Sequence, residues 1–172
     1  MKKLVISGIK CLMPFLLAVY LFASCKSGHQ DFNAVDTDSA VVKDSVTALT
    51  INIAHDLAAK GPVAWLNYFQ DSPNFFMANE GQLALHNYQS AKTFVQDTLV
   101  KSISKINLQW SHTRIDVLAS NIAAIGSDFH EDITFAWGEI TPFDGYFTGV
   151  AIKTPKGWKL RNAHWSIKPP PK

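Results

Sequence analysis

Past Ser104 the apolar residues of this chain abandon helical spacing for alternation, and they keep alternating almost to the C terminus. A period of two puts successive side chains on opposite faces of an extended strand, so this half can only be a sheet with one buried face. Ile106, Leu108 and Trp110 alternate with Asn107, Gln109 and Ser111. Ile115 and Val117 then take the opposite parity, which predicts a bulge between His112 and Arg114. Ala123, Ile125, Phe129, Ile133, Phe135 and Trp137 share one face, against Gly126, Asp128, His130, Asp132 and Thr134 on the other. "PFDG" and "TPKG" read as turns. The second joins a strand ending at Thr154 to a closing strand, "GWKLRNAHWS", in a hairpin.

The first half reads as helices. Val42, Val46, Leu49, Ile53 and Leu57 line one helical face, behind a "DTDS" stretch able to cap it. Gly61 and Pro62 stop that helix and start a second, short one over "VAWLNYF". "DSPNFFMANEGQ" holds a turn and a short extended piece. From Ser90, a capping-type residue, Phe94, Val95, Thr98, Leu99 and Ile103 make a third helical face. Three helices followed by about four long strands is an α+β arrangement with helices on one face of a curved antiparallel sheet.

The N terminus has the layout of an export signal. Lys2, Lys3 and Lys10 precede an apolar run from Cys11 to Phe22, then Ala23, Ser24 and Cys25. The run is shorter than the about 20 residues of a membrane span. "FASC" resembles the lipobox of bacterial lipoproteins, which implies cleavage before Cys25 and acylation of its thiol. The expected organisation is therefore a signal at 1–24, a polar tether at 25–40, one domain at 41–168 and an extended proline tail at 169–172. The expected location is the cell envelope, outside the cytoplasm, attached to a membrane by lipid.

Charge and cysteine content narrow the function. The sixteen basic and fourteen acidic residues become thirteen and fourteen without the three signal lysines, which leaves no footprint for nucleic acid. Both cysteines lie at or before position 25, so the domain has no disulfide. His112, His130 and His164 fall on three different strands without metal-ligand spacing, so neither a metal nor another cofactor is expected. Phosphate loops and nucleophile elbows are lacking too.

The element order, the run "VLASNIAAIGSDF" and the ending "GVAIKTPKGWKLRNAHWS" resemble the nuclear-transport-factor-2-like superfamily, particularly its SnoaL-like branch. The sharpest matching residues are Ala123 or Ala124, Gly157, Trp158, Lys159, Leu160, His164 and Ser166. The resemblance implies a cone, in which a bent sheet wraps the first helix around a pocket, and pairing of copies through the outer face of the sheet. It departs where relatives often carry a cation on the third strand, since "YFTGVAIK" offers only Thr148. The superfamily holds isomerases, dehydratases and cyclases alongside noncatalytic modules, so fold does not select function.

Polar groups on apolar faces mark the candidate site. Glu131 shares parity with Phe129 and Ile133, and Asn162 and His164 share parity with Trp158 and Leu160, so regular strands would point all three inward. Trp65, Tyr68, Trp110 and Tyr146 are candidate lining residues, and Trp137 is a further aromatic on the same parity. The first reading is noncatalytic binding of a small, largely apolar ligand. The second is an isomerase, dehydratase or cyclase using His164, with Glu131 or a tyrosine as partner. The third is a homodimeric association module, with Trp165 and Ile167 exposed on the outer face to pair with a second copy.

Overall fold

The computed structural model describes residues 36–169. The signal segment, Cys25 and most of the tether lie outside the described residues, as do the last prolines and the side chains of the "DTDS" cap at 36–38. The long helix α1, Asp36–Lys60, buries the stripe that its spacing predicts. Val46, Ile53 and Leu57 are at most 1% exposed. Each such side chain contributes about 1.5–3 kcal/mol on leaving water, and tertiary burial of this kind is what holds most protein helices. The helix packs chiefly against the first long strand of the sheet. Lys60 pairs with Asp56 one turn earlier at 2.9 Å.

The segment after Gly61 forms a tight 3-10 turn, Gly61–Asn67, rather than a second α-helix. Gly61 takes the left-handed φ of 69° that ends α1, and Pro62 starts the tighter turn without needing an N–H partner. The extended piece after it is a hairpin of two short strands, β1 (Phe76–Asn79) and β2 (Gln82–Leu85). Glu80 and Gly81 both have positive φ, 46° and 76°, as a two-residue primed turn requires.

Helix α2 starts at Tyr88, two residues before its expected beginning. Its cap is Asn87, whose side chain accepts from the Ser90 N–H at 2.8 Å, while Ser90 Oγ accepts from the Asn87 N–H at 3.1 Å. Ser90 is therefore the inner half of a capping box. Tyr88–Phe94 is α-helical, Val95–Leu99 widens to a π turn, and a last helical turn, Val100–Ser102, leads into the sheet. Ile103, expected on the helix, is already the first residue of β3.

Four long strands follow: β3 (Ile103–Ala119), β4 (Ile122–Phe135), β5 (Ile140–Thr154) and β6 (Gly157–Ile167). The six strands form one sheet in the order β2-β1-β6-β5-β4-β3. Its pairs are antiparallel except for β1 against β6, which run parallel. "TPKG" is the β5–β6 turn, in which Thr154 Oγ1 donates to the Gly157 carbonyl at 2.8 Å. "PFDG" is not a turn: it lies inside β5, and the chain reverses earlier, at 136–139. Pro142 is tolerated there because β6 pairs with β5 only from Gly145 onward, so no partner awaits a proline N–H. Trp137 consequently lies beyond β4, 66% exposed and stacked on Phe135.

Two bulges decide which side chains face the core. The expected one in β3 is present: the register with β4 shifts between Ser111 and Arg114, and His112 has φ 51°. It lets the Thr113 hydroxyl meet the fully buried Ser127 hydroxyl at 2.8 Å. The other was not expected. Opposite Val150 and Ala151 stand Asn162 and Leu160, leaving Arg161 as one extra residue in β6. From that point the parity of β6 is reversed, as a single inserted residue demands.

Candidate functional site

The Arg161 bulge divides the expected site between two faces of the sheet. Leu160, Ala163 and Trp165 point inward, being fully, almost fully and half buried. Trp165 sits 4.5 Å from the Phe147 ring and 5.1 Å from that of Trp65 in edge-on contacts. Asn162 and His164 therefore turn to the outer face, contrary to the reading from regular alternation. Trp165 and Ile167, expected outside, pack with the core. The exposed apolar side chains on the outer face are instead Phe76 and Tyr146, at 40% and 44%.

Inside the cone lies a pocket of about 210 Å³. It is bounded by the 3-10 turn (Trp65) and the segment just after it (Phe69), the hairpin (Met77, Asn79), α2 and its π turn (Phe94, Val95, Leu99), and the sheet (Ile106, Glu131, Ile133, Trp165, Ile167). Glu131 points into it, paired across the sheet with Leu108 and Phe143. Among the described residues its carboxyl is the one ionisable group on the wall and has no charged partner there. Burial without a compensating charge pushes its pKa up to about 7, because the anion loses hydration that nothing replaces. Close to neutral pH the group can therefore accept a hydrogen bond as carboxylate or donate one as acid.

Of the other expected lining residues, only Trp65 reaches this pocket. Tyr68 is buried against α1, with its hydroxyl 2.9 Å from both the Asp56 carboxylate and the Asn52 carbonyl. Burial, then the Asp56 hydrogen bond, raises Tyr68 to about 12, while Lys60 and Tyr68 lower Asp56 to about 2. Trp110 is a bracket between sheet and helix. Its indole N–H donates to the Thr50 carbonyl at 3.0 Å and its ring lies 5.3 Å from Phe147.

Tyr146, Asn162 and His164 do come together, but in a hollow on the outer face. His164 and Glu131 thus belong to different cavities, and no imidazole–carboxylate pair forms in the cone. Phe69, Met77, Phe94 and Leu99 line the pocket although alternation could not mark them, since they come from the segment after the 3-10 turn, a strand of only four residues, the end of α2 and a π turn. Among the described residues no cluster of side chains is arranged to hold a metal ion. No helix among those residues is long and apolar enough to cross a membrane.

No family profile matches the chain, and no curated protein sequence does. Solved structures do match. A nuclear-transport-factor-2-like superfamily protein of Salmonella enterica serovar Typhimurium superposes with a TM-score of 0.66 at 20% identity, over 78% of this chain and 96% of that one. A Novosphingobium aromaticivorans protein described as a scytalone dehydratase gives 0.66 at 11% identity, covering 77% and 87%. A type 2 hexachlorocyclohexane dehydrochlorinase, LinA, gives 0.63 at 10% identity, covering 78% and 90%. At these identities the likeness is one of architecture. With its bent sheet, helices against one face and a pocket between them, the chain has the nuclear-transport-factor-2-like fold.

Proposed function

We propose that the cone binds a small, largely apolar molecule carrying one hydrogen-bonding group, and that Glu131 holds that group. The observation behind this reading is the lone carboxyl on a wall whose other side chains, Asn79 excepted, are apolar or aromatic. Such a wall takes up an apolar body while one polar point fixes its orientation. The volume of about 210 Å³ suits a single substituted ring; a dry engineered cavity of about 150 Å³ already binds benzene. Trp65 and Trp165 on the wall provide a fluorescence signal. p-Cresol should bind about tenfold more tightly than toluene, the margin of one hydrogen bond to an ionisable group. Glu131→Leu should abolish that margin while toluene still binds. Absence of saturable quenching by either compound rejects the reading.

A second reading is an acid–base enzyme, favoured by the Glu131 pKa of about 7. Two of the similar structures are named for removing water or hydrogen chloride. In this reading Glu131 acts alone, taking a proton from carbon and returning it, without His164. Cyclohexanone incubated in deuterium oxide should then exchange its α-hydrogens faster with the wild type than with Glu131→Gln. Equal rates reject catalysis and leave binding intact.

The sequence before the domain adds a location to the proposal: acylation at Cys25 would hold the cone on the envelope side of a bacterial membrane. A single acyl chain anchors only marginally, whereas two or more anchor stably. Cys25→Ser should move the protein from the membrane to the soluble fraction and end its labelling by radioactive palmitate. Unchanged fractionation excludes the anchor.

A further inference from the structure

We infer that the hollow on the outer face of the sheet is a second binding site, for a small organic anion with a flat apolar body. It is a cavity of about 590 Å³ on the side of the sheet opposite the cone pocket. Strand register builds it. Arg114, Gly126, Thr148, His164 and Ala78 stand directly opposite one another across β3, β4, β5, β6 and β1. The next row places Asp116, Ala124, Val150, Asn162 and Phe76 in line. Small residues in the middle of both rows leave the depression, and larger ones stand around it.

Its polar groups are oriented by contacts that leave donors free. Arg114 Nε lies 3.0 Å from both Asp116 carboxylate oxygens, which engages that acid and leaves the two terminal guanidinium nitrogens available. Asn162 Oδ1 accepts from the Val150 N–H at 2.9 Å, so its amide nitrogen is the end left for a ligand. Tyr146 leans across the strand toward Gly126: a Cβ at Gly126 would stand 2.7 Å from its hydroxyl. Glycine there is what lets the phenol reach over the hollow. Together with the Thr148 hydroxyl and the His164 ring, the lining presents more donors than acceptors.

That excess selects an acceptor-rich partner, and a guanidinium edge next to hydroxyl and amide donors matches a carboxylate or phosphate. Phe76, Ala78, Ala124 and Val150 supply apolar surface for the rest of the molecule. The unexpected bulge at Arg161 is what creates the site, because without it Asn162 and His164 would face the core. The inference is independent of the cone pocket and of any chemistry at Glu131.

The test is titration of the isotopically labelled full chain, in a nonionic detergent, with benzoate, phenyl phosphate and benzyl alcohol, followed by amide resonances. Saturable shifts of residues 124–126, 146–150 and 162–164 are expected with one or both anions and not with benzyl alcohol. The stronger anion identifies the carboxylate or the phosphate form. Arg114→Gln should weaken binding at least tenfold, and Gly126→Ala, by displacing Tyr146, should also weaken it. Glu131→Gln should leave it unchanged. If Gly126→Ala perturbs folding, Tyr146→Phe supplies the same comparison. The inference is overturned if neither anion saturates these resonances, if the shifts map instead to Trp65, Ile133 and Trp165, or if sedimentation shows a dimer covering the face and excluding both anions.

Discussion

Trp165→Ala should lower the free energy of unfolding by about 3–5 kcal/mol, whereas His164→Ala, one residue away, should change it by less than about 1 kcal/mol. The asymmetry follows from the face each residue takes. Trp165 joins an aromatic cluster with Trp65, Phe129 and Phe147, their ring centroids lying 4.5–6.3 Å away. Its loss removes a large buried area and leaves a space that neighbours from three separate elements cannot close together. His164 lies on the outer face in the open hollow, and a smaller side chain there is replaced by water. Urea unfolding followed by circular dichroism measures both values. The opposite ranking would mean that β6 runs without the bulge at Arg161 and that His164 occupies the core.

Glu131→Gln should gain stability relative to the wild type as pH rises, by about 2–3 kcal/mol over the interval from 4.5 to 7. In the folded chain the carboxyl keeps its proton up to about pH 7, whereas the ordinary value is 4.5. Between these values the folded state binds one more proton than the unfolded state. Stability therefore falls as pH rises, by about 1.4 kcal/mol per unit. The full interval gives a little over 3 kcal/mol by that slope, and contact of the carboxyl with the open pocket reduces it to the stated range. Glutamine keeps the shape and cannot ionise, so the difference between the two stability curves isolates this group from the other acids. A constant difference across the interval would show that Glu131 ionises as it does in water and that the pocket is wet. The dry polar point on which the ligand reading depends would then be lost.

The two bulges show where sequence reasoning holds and where it stops. In β3 the parity change is visible because apolar residues stand on both sides of it, Trp110 before and Ile115 and Val117 after. In β6 the residues beyond the bulge are Asn162, Ala163, His164, Trp165, Ser166 and Ile167, and either parity can be made plausible. The inward-facing set holds Trp165 and Ile167, which a reader can assign equally to a core or to a dimer surface. Glu131 could be assigned because β4 keeps one register from Ile122 to Thr134, in step with β5 throughout. "PFDG" misled for a related reason: turn-forming residues are also tolerated where a strand lacks a neighbour on one side, and that neighbour is set by topology.

From its own residues the chain determines an α+β domain, the buried stripe of α1, the alternation of the long strands and the inward aim of Glu131. Those properties depend on backbone periods, which are local. Tertiary structure alone decided that β1 would lie parallel to β6, that a turn, a hairpin and a π turn would close the pocket, and that Asn162 and His164 would leave it. Each of these depends on which hydrogen-bonding edge meets which partner. One extra residue in β6 is accommodated there because β5 on one side and β1 on the other hold the strand in register around it.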